Sequence, residues 1–145
     1  MQIRAFQESD EPSVVALWKR VFAYSEPRNY PAAVIRQKMA VQRELFFVAV
    51  AEEKLVGTVM GGYDGHRGWL YSLAVDESLR RHGIGTRLVA HVENALTERG
   101  CPKLNLQVLS AKDDVRAFYE ALGYRADAVI SLGKRLGELA ETPAA

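Results

Sequence analysis

The sequence predicts an α/β fold: one domain with a mixed β-sheet and helices packed on it. Three observations predict it. The chain has 145 residues, the size of a single domain with a core of its own. Apolar residues form strand-like runs at 45–51, 55–63 and 69–75, and helix-like repeats between 84 and 96 and between 115 and 122. The segments follow in the order β-α-α-β-β-β-α-β-α-β, which calls for a sheet covered by helices.

A first short strand covers residues 2–7, where apolar residues alternate weakly. Ser9-Asp10-Glu11-Pro12 is a helix start: a capping side chain, an acid, then proline in the first turn. Val14, Leu17, Trp18 and Val21 follow at helical spacing. Residues 25–30 hold Pro27 and Asn29 and read as a loop, and Pro31 opens a second helix with Val34, Ile35, Lys38 and Met39 on repeating turns. The continuous apolar run 45–51 is a buried strand. Glu52-Glu53-Lys54 turns the chain, and 55–63 returns as the other arm of a hairpin. Within it Gly57, Gly61 and Gly62 mark bulges or close backbone approach. After the loop Asp64-Gly65-His66-Arg67-Gly68, residues 69–75 form a strong strand. A polar, arginine-rich connection leads to a helix from about Gly85, with Leu88, Val89, Val92 and Leu96 on one face, stopped by Gly100 and Pro102. Residues 103–109 alternate as a strand. Ser110-Ala111-Lys112-Asp113 has the acid form of a capping box, before a helix that carries Val115, Phe118, Tyr119 and Leu122 and ends at Gly123. A final strand is expected over 125–132. The domain spans residues 1–137, and the small, polar tail 138–145 is expected to fray.

Composition narrows the function. The chain is 48% hydrophobic and 26% charged, ordinary for a soluble domain, and its net charge of +1 does not suggest nucleic acid as a partner. No apolar run approaches the ~20 residues that span a bilayer, and Met-Gln-Ile-Arg-Ala-Phe lacks a signal peptide's apolar stretch. A cytoplasmic protein without a membrane partner is the expectation. Cys101, the single cysteine, can form neither an internal disulfide nor a CxxC metal site, so no metal is expected.

Chemistry concentrates in Arg80-Arg81-His82-Gly83-Ile84-Gly85-Thr86, between the strand 69–75 and the helix that follows. A helix N-terminus offers unpaired N–H groups and partial positive charge. Gly83 and Gly85 clear the approach, Arg80, Arg81 and His82 add charge and donors, and Thr86 can add a hydroxyl. Together they describe a phosphate or pyrophosphate site. The dinucleotide fingerprint GxGxxG is ruled out, because its third glycine would fall on Leu88, and the GxxxxGK[ST] loop is absent. The competing account is a solvated charge run with glycines that merely turn the chain.

These residues resemble a known family. Arg80-x-x-Gly83-x-Gly85 has the form R/Q-x-x-G-x-G/A, the acyl-CoA motif of the GNAT N-acetyltransferases. Phe118-Tyr119-Glu120-Ala121-Leu122-Gly123-Tyr124 is similar to that family's FYEKLGF segment. With the order of elements, the resemblance covers nearly the whole chain. It implies a GNAT-like fold with splayed central strands and acetyl-CoA as co-substrate. It further implies that the backbone of Leu73, Ala74 and Val75 pairs with the pantetheine arm, as a peptide adds to a sheet edge. The N–H groups from Arg81 through His82, Gly83, Ile84 and Gly85 to Thr86 would then hold the pyrophosphate. Tyr119 matches the family's general acid. A phenol, with an unperturbed pKa of about 10, can protonate a departing thiolate. On the residues alone, core packing is the competing role for Tyr119. The N–H of Val75 is the candidate donor to the thioester oxygen.

The chain departs from the family at two places. Where many members carry a carboxylate on the central strand, this chain has Tyr71 followed by Ser72, neither a base near neutrality. Asp64 and His66 are candidate bases, with shaping of the glycine-rich loop as their alternative role; a water chain, or an amine that arrives deprotonated, would need neither. Where the family often has asparagine before the tyrosine helix, this chain has Lys112, read as a surface residue. Arg87, Arg99 and His91 read as helix-surface residues, and Cys101 as structural. Glu26, Arg28 and Tyr30 are acceptor-site candidates by analogy alone. The leading expectation is transfer of acetyl to a primary amine of a small molecule or peptide. The alternative is a non-catalytic acyl-CoA sensor or regulatory module. Family members often form homodimers, and the sequence leaves the oligomeric state open.

Overall fold

The computed structural model describes residues 1–23 and 30–137. Its strands are β1 (Gln2–Ala5), β2 (Phe46–Ala51), β3 (Lys54–Tyr63), β4 (Gly68–Val75) and β5 (Leu104–Asn105). Its helices are α1 (Glu11–Val21), α2 (Pro31–Met39), α3 (Ile84–Glu98) and α4 (Asp113–Ala121). The sheet runs β1-β2-β3-β4-β5, antiparallel except for the parallel β4–β5 pair.

Strand alternation divides the core between the two faces. Phe46 and Val48 of β2 and Met60 of β3 join Val14, Leu17 and Trp18 of α1 and Ile35 of α2 on one face. Phe47 and Ala49 of β2 and Val59 of β3 meet Leu88, Val89, Val92 and Leu96 of α3 on the other, together with Tyr119. Burial on both faces is why β2 reads as an unbroken apolar run. Helices α3 and α4 end alike. Gly100 and Gly123 adopt φ of 81° and 98°, and the N–H groups of Cys101 and Tyr124 bond back to the carbonyls of Leu96 and Tyr119. Both are the glycine C-terminal motif expected from the sequence.

The three glycines of β3 mark close approach. A Cβ on Gly57 would lie 2.9 Å from Leu88 Cδ1 and one on Gly61 2.9 Å from Val92 Cγ1, so α3 rests directly on the strand. A Cβ on Gly62 would meet the Tyr71 hydroxyl at 2.9 Å. The β2–β3 register also shifts beside Gly57, at Ala49/Val50.

Several local expectations are corrected. The cap expected from Ser9 does not form: α1 begins at Glu11 and no side chain caps it. The Asp10 carboxylate takes two bonds from the Arg4 guanidinium, at 2.8 and 2.9 Å, and one from the Gln7 N–H. The pairing with Arg4 holds its pKa below the usual range. Ser110 does not begin α4, which starts at Asp113 after Lys112 with no side-chain cap. The strand expected over 103–109 pairs only at Leu104 and Asn105. No strand forms over 125–132. These residues run beside β5 through side chains, Lys103 to Asp127 and Gln107 to Ser131, and Val129, Ile130 and Leu132 are exposed. A strand needs a backbone ladder to satisfy its N–H and C=O groups, and β5 is too short to supply one. The loop 25–30 lies outside the described residues except for Tyr30, and so does the tail 138–145.

Gly68 pins the closed end of the β4–β5 pair. Its N–H bonds the Lys103 carbonyl at 2.9 Å, and a Cβ there would lie 2.6 Å from Cys101 Sγ and 2.9 Å from Leu96 Cδ1. Gly68→Ala is expected to destabilise the protein by about 2 kcal/mol through overpacking, read as a lowered urea midpoint at unchanged slope. Cys101 thus has a packing role, as the sequence suggested.

Candidate active site

The site forms where β4 and β5 part. They pair only through Gly68–Leu104 and Trp69–Asn105. Beyond Trp69, β4 keeps β3 on one edge and has no ladder partner on the other among the described residues. Leu73, Ala74 and Val75 lie on this stretch, with Ala74 opposite Thr58 and Val75 opposite Gly57. The open edge is what an extended amide-bearing arm would require.

Just upstream the strand is bulged. Thr58 faces Ala74 but Met60 faces Tyr71, so Ser72 and Leu73 together oppose Val59. Ser72 takes φ of +56°, a left-handed conformation that costs a non-glycine residue roughly 1–2 kcal/mol. Its carbonyl accepts a bond from the Thr58 hydroxyl at 3.0 Å, and Thr58 accepts from the Trp18 indole N–H at 2.8 Å. Nothing in the sequence signals this bulge, because the left-handed residue is a serine.

Past Val75 the chain turns through Glu77, Ser78 and Leu79 into the turn 80–86. The Asp76 carboxylate accepts from the Ser78 N–H and hydroxyl, and Arg20 of α1 ties down Asp76 and Glu77 at 3.4 and 3.3 Å. Arg81 and Gly83 are left-handed, with φ of 69° and 79°. Gly83 is the N-cap of α3 and no side chain caps the helix. The first helical bond runs from the Arg87 N–H to the Gly83 carbonyl, so the N–H groups of Ile84, Gly85 and Thr86 have no carbonyl of their own helix to bond. The first turn of α3 carries no acid, whereas α4 begins with Asp113 and Asp114. Arg80, Arg81, His82 and Thr86 are exposed, and among the described residues no carboxylate pairs with either arginine. An uncapped helix start with unneutralised cations suits a di-anionic phosphate group.

The two glycines do different jobs. Around Gly83 a Cβ would meet nothing within 4 Å, and its backbone angle is what demands glycine. At Gly85 a Cβ would lie 3.3 Å from Phe118 Cζ and 3.7 Å from Val75 Cγ2. Phe118 therefore packs α4 against the start of α3. Tyr119 is 7% exposed and belongs to the core cluster around α3. Its ring lies edge-on to Phe118 and Tyr124, at centroid distances of 5.0 and 5.7 Å. It also lines a cavity of about 340 Å³ with Leu106, Val108 and Tyr124. Core packing and a place at a cavity thus coexist in one residue. Burial pushes its pKa up to about 12. The Tyr124 phenol donates to Glu93 at 2.7 Å, tying the end of α4 to α3.

The candidate bases Asp64 and His66 lie in the loop before β4. Asp64 Oδ1 accepts the N–H groups of His66 and Arg67, both at 2.7 Å, and these bonds hold its pKa down. It shapes the loop. Asp64 and His66 precede Gly68 at the paired end of β4, whereas the turn follows Val75, about 23 Å along the strand at 3.3 Å per residue. Tyr71, which stands at the expected base position on β4, is partly exposed, and its partial burial raises its pKa. The Lys38 ammonium lies 5.7 Å from the Tyr71 ring centroid and donates to the Gly61 carbonyl at 2.6 Å. His66→Ala is expected to leave the acidic limb of the pH–rate profile unshifted. A shifted limb would return His66 to the mechanism.

Residues 11–124 match the family model for the acetyltransferase (GNAT) family. The chain is 44% identical over 136 residues to the acetyltransferase YE1169 of Yersinia enterocolitica, covering 94% of this chain and 96% of that protein. The chain belongs to the GNAT family. Among solved structures, Ard1 from Thermoplasma volcanium superposes with a TM-score of 0.77 at 25% identity, over 88% of this chain and 84% of that one. An aminoglycoside N-acetyltransferase, AAC(6')-Iy, solved in complex with CoA, shares the fold with a TM-score of 0.75 at 18% identity, over 94% of this chain and 95% of that one. Membership makes this protein an acetyl-CoA-dependent acyltransferase that acts on amines. Among the described residues no helix is long and apolar enough to cross a membrane, and no group of three His, Cys, Asp or Glu side chains could hold a metal.

Proposed function

We propose that this GNAT protein transfers acetyl from acetyl-CoA to a primary amine by direct attack, with Tyr119 as the general acid. The observation that carries the reading is the contact of Phe118 with Gly85. It holds the acid-bearing helix against the anion-binding turn at the open end of the β4–β5 splay. The N–H groups running from Arg81 to Thr86 grip the pyrophosphate while Arg80 and Arg81 steer it in. The backbone of Leu73, Ala74 and Val75 aligns the pantetheine arm, and the Val75 N–H meets the thioester oxygen. The amine lone pair attacks the carbonyl carbon and the C–S bond breaks. The thiolate takes the Tyr119 proton, and the nitrogen loses its own proton to water. With Asp64 committed to its loop and no carboxylate at Tyr71, an amine that arrives deprotonated fits this site.

The missing carboxylate at Tyr71 favours a second reading, a sensor that binds acyl-CoA without turnover. A panel of small-molecule and peptide amines, followed by release of the CoA thiol, separates the two. Release with at least one amine supports transfer. Tight acetyl-CoA binding with no release across the panel would establish the sensor.

A further inference from the structure

The strained bulge in β4 is held by two buried polar side chains to which the acyl-transfer chemistry assigns no role. Thr58 is fully buried and Trp18 is 1% exposed. An indole N–H can only donate, and a carbonyl can only accept. With Trp18 donating to Thr58 at 2.8 Å and the Ser72 carbonyl 3.0 Å away, the Thr58 proton has one direction to point. The relay is therefore polarised from α1 through β3 to the carbonyl at the centre of the bulge. Its starting point is fixed as well. The Trp18 ring stacks on Phe46 at 6.0 Å, and Phe46 stacks on Phe6 at 4.4 Å.

We propose that Trp18 and Thr58 are positioning residues for acyl transfer. By holding the Ser72 carbonyl, they lock the bulge and aim the open edge at Leu73, Ala74 and Val75 toward the thioester. The proposal rests on the acetyl-transfer reading above. Its structural half, that the hydroxyl relay locks the bulge, can be tested without turnover. An aliphatic side chain of the same size in place of Thr58 would fill the same space and remove the hydroxyl bond to the Ser72 carbonyl, which could then relax out of the left-handed conformation.

The test uses Thr58→Val, Thr58→Ser and Trp18→Phe in the full chain. Amide hydrogen exchange over residues 71–75 is expected to accelerate about tenfold in Thr58→Val and Trp18→Phe, and to stay near wild type in Thr58→Ser, which keeps the hydroxyl. In turnover assays kcat is expected to fall about tenfold in the first two variants. CoA affinity should change by less than about threefold, because the phosphates are held at the turn and not at the bulge. Wild-type exchange and kcat in Thr58→Val would overturn the proposal. So would equal damage in Thr58→Ser, which would make the effect one of packing. If Thr58→Val does not fold, Trp18→Phe carries the same readouts. If the wild-type protein releases no CoA with any amine, the transfer reading fails, and the exchange measurements alone decide whether the relay locks the bulge.

Discussion

Replacing Tyr119 with phenylalanine is expected to lower acetyl-CoA turnover by about 10²-fold, the range of a lost acid–base group, with little change in CoA affinity. The ring is part of the core and phenylalanine keeps it, so stability should hold to within about 1 kcal/mol. The variant thus separates core packing from the proposed acid role. The pH dependence carries a second signature. Burial places the Tyr119 pKa at about 12, so the phenol keeps its proton throughout the range in which the protein can be assayed. Tyr119→Phe is therefore expected to scale the pH–rate profile without moving its limbs, and an alkaline limb lost in the variant would assign that limb to Tyr119. Unchanged turnover in the variant would remove Tyr119 from the mechanism.

The second large effect is expected at Gly83. Gly83→Val should reduce CoA binding below detection in calorimetric titration, whereas Arg81→Ala should weaken it by about tenfold, the loss of one charge-assisted contact. The structure gives the reason for the difference. Gly83 has φ of +79° at the N-cap of α3, a conformation that a β-branched residue resists. Valine would move the N–H groups proposed to grip the pyrophosphate. Arg81 already sits at φ of +69° as a non-glycine residue, and alanine leaves that backbone as it is. Gly83→Asn separates conformation from bulk, since asparagine tolerates the left-handed region and a Cβ there meets nothing within 4 Å. It is expected to keep most of the binding. If Arg81→Ala proved the more damaging, side-chain charge and not the backbone would be the source of affinity.

How much of this was legible in the sequence follows from how far apart the determining groups lie. The turn at 80–86 was legible as a local pattern of glycines, a helix start and cations within seven residues. The residues alone assign Gly83 only the role of clearing the approach, whereas its left-handed backbone is what requires glycine. The ends of α3 and α4 were legible for the same reason, each marked by a glycine that its motif requires. What Asp64 accepts was not legible, because the bonds from the His66 and Arg67 N–H groups to its Oδ1 depend on the backbone geometry of the loop. Glycine was read correctly as a sign of close approach in β3, yet the decisive bulge sits at Ser72 in the neighbouring strand.

The order of the elements as far as α4 and the buried faces could be read from the sequence, because hydrophobic period and backbone preference act over a few residues. Only the tertiary structure decided how the strands end and what they meet. Pairing stops at Asn105, and 125–132 stays outside the sheet because no ladder reaches it. The bulge is anchored by a tryptophan and a threonine 40 residues apart, and α4 docks where Gly85 leaves room for Phe118. These are contacts between distant segments, and their energy depends on a partner surface that exists only after the sheet has formed.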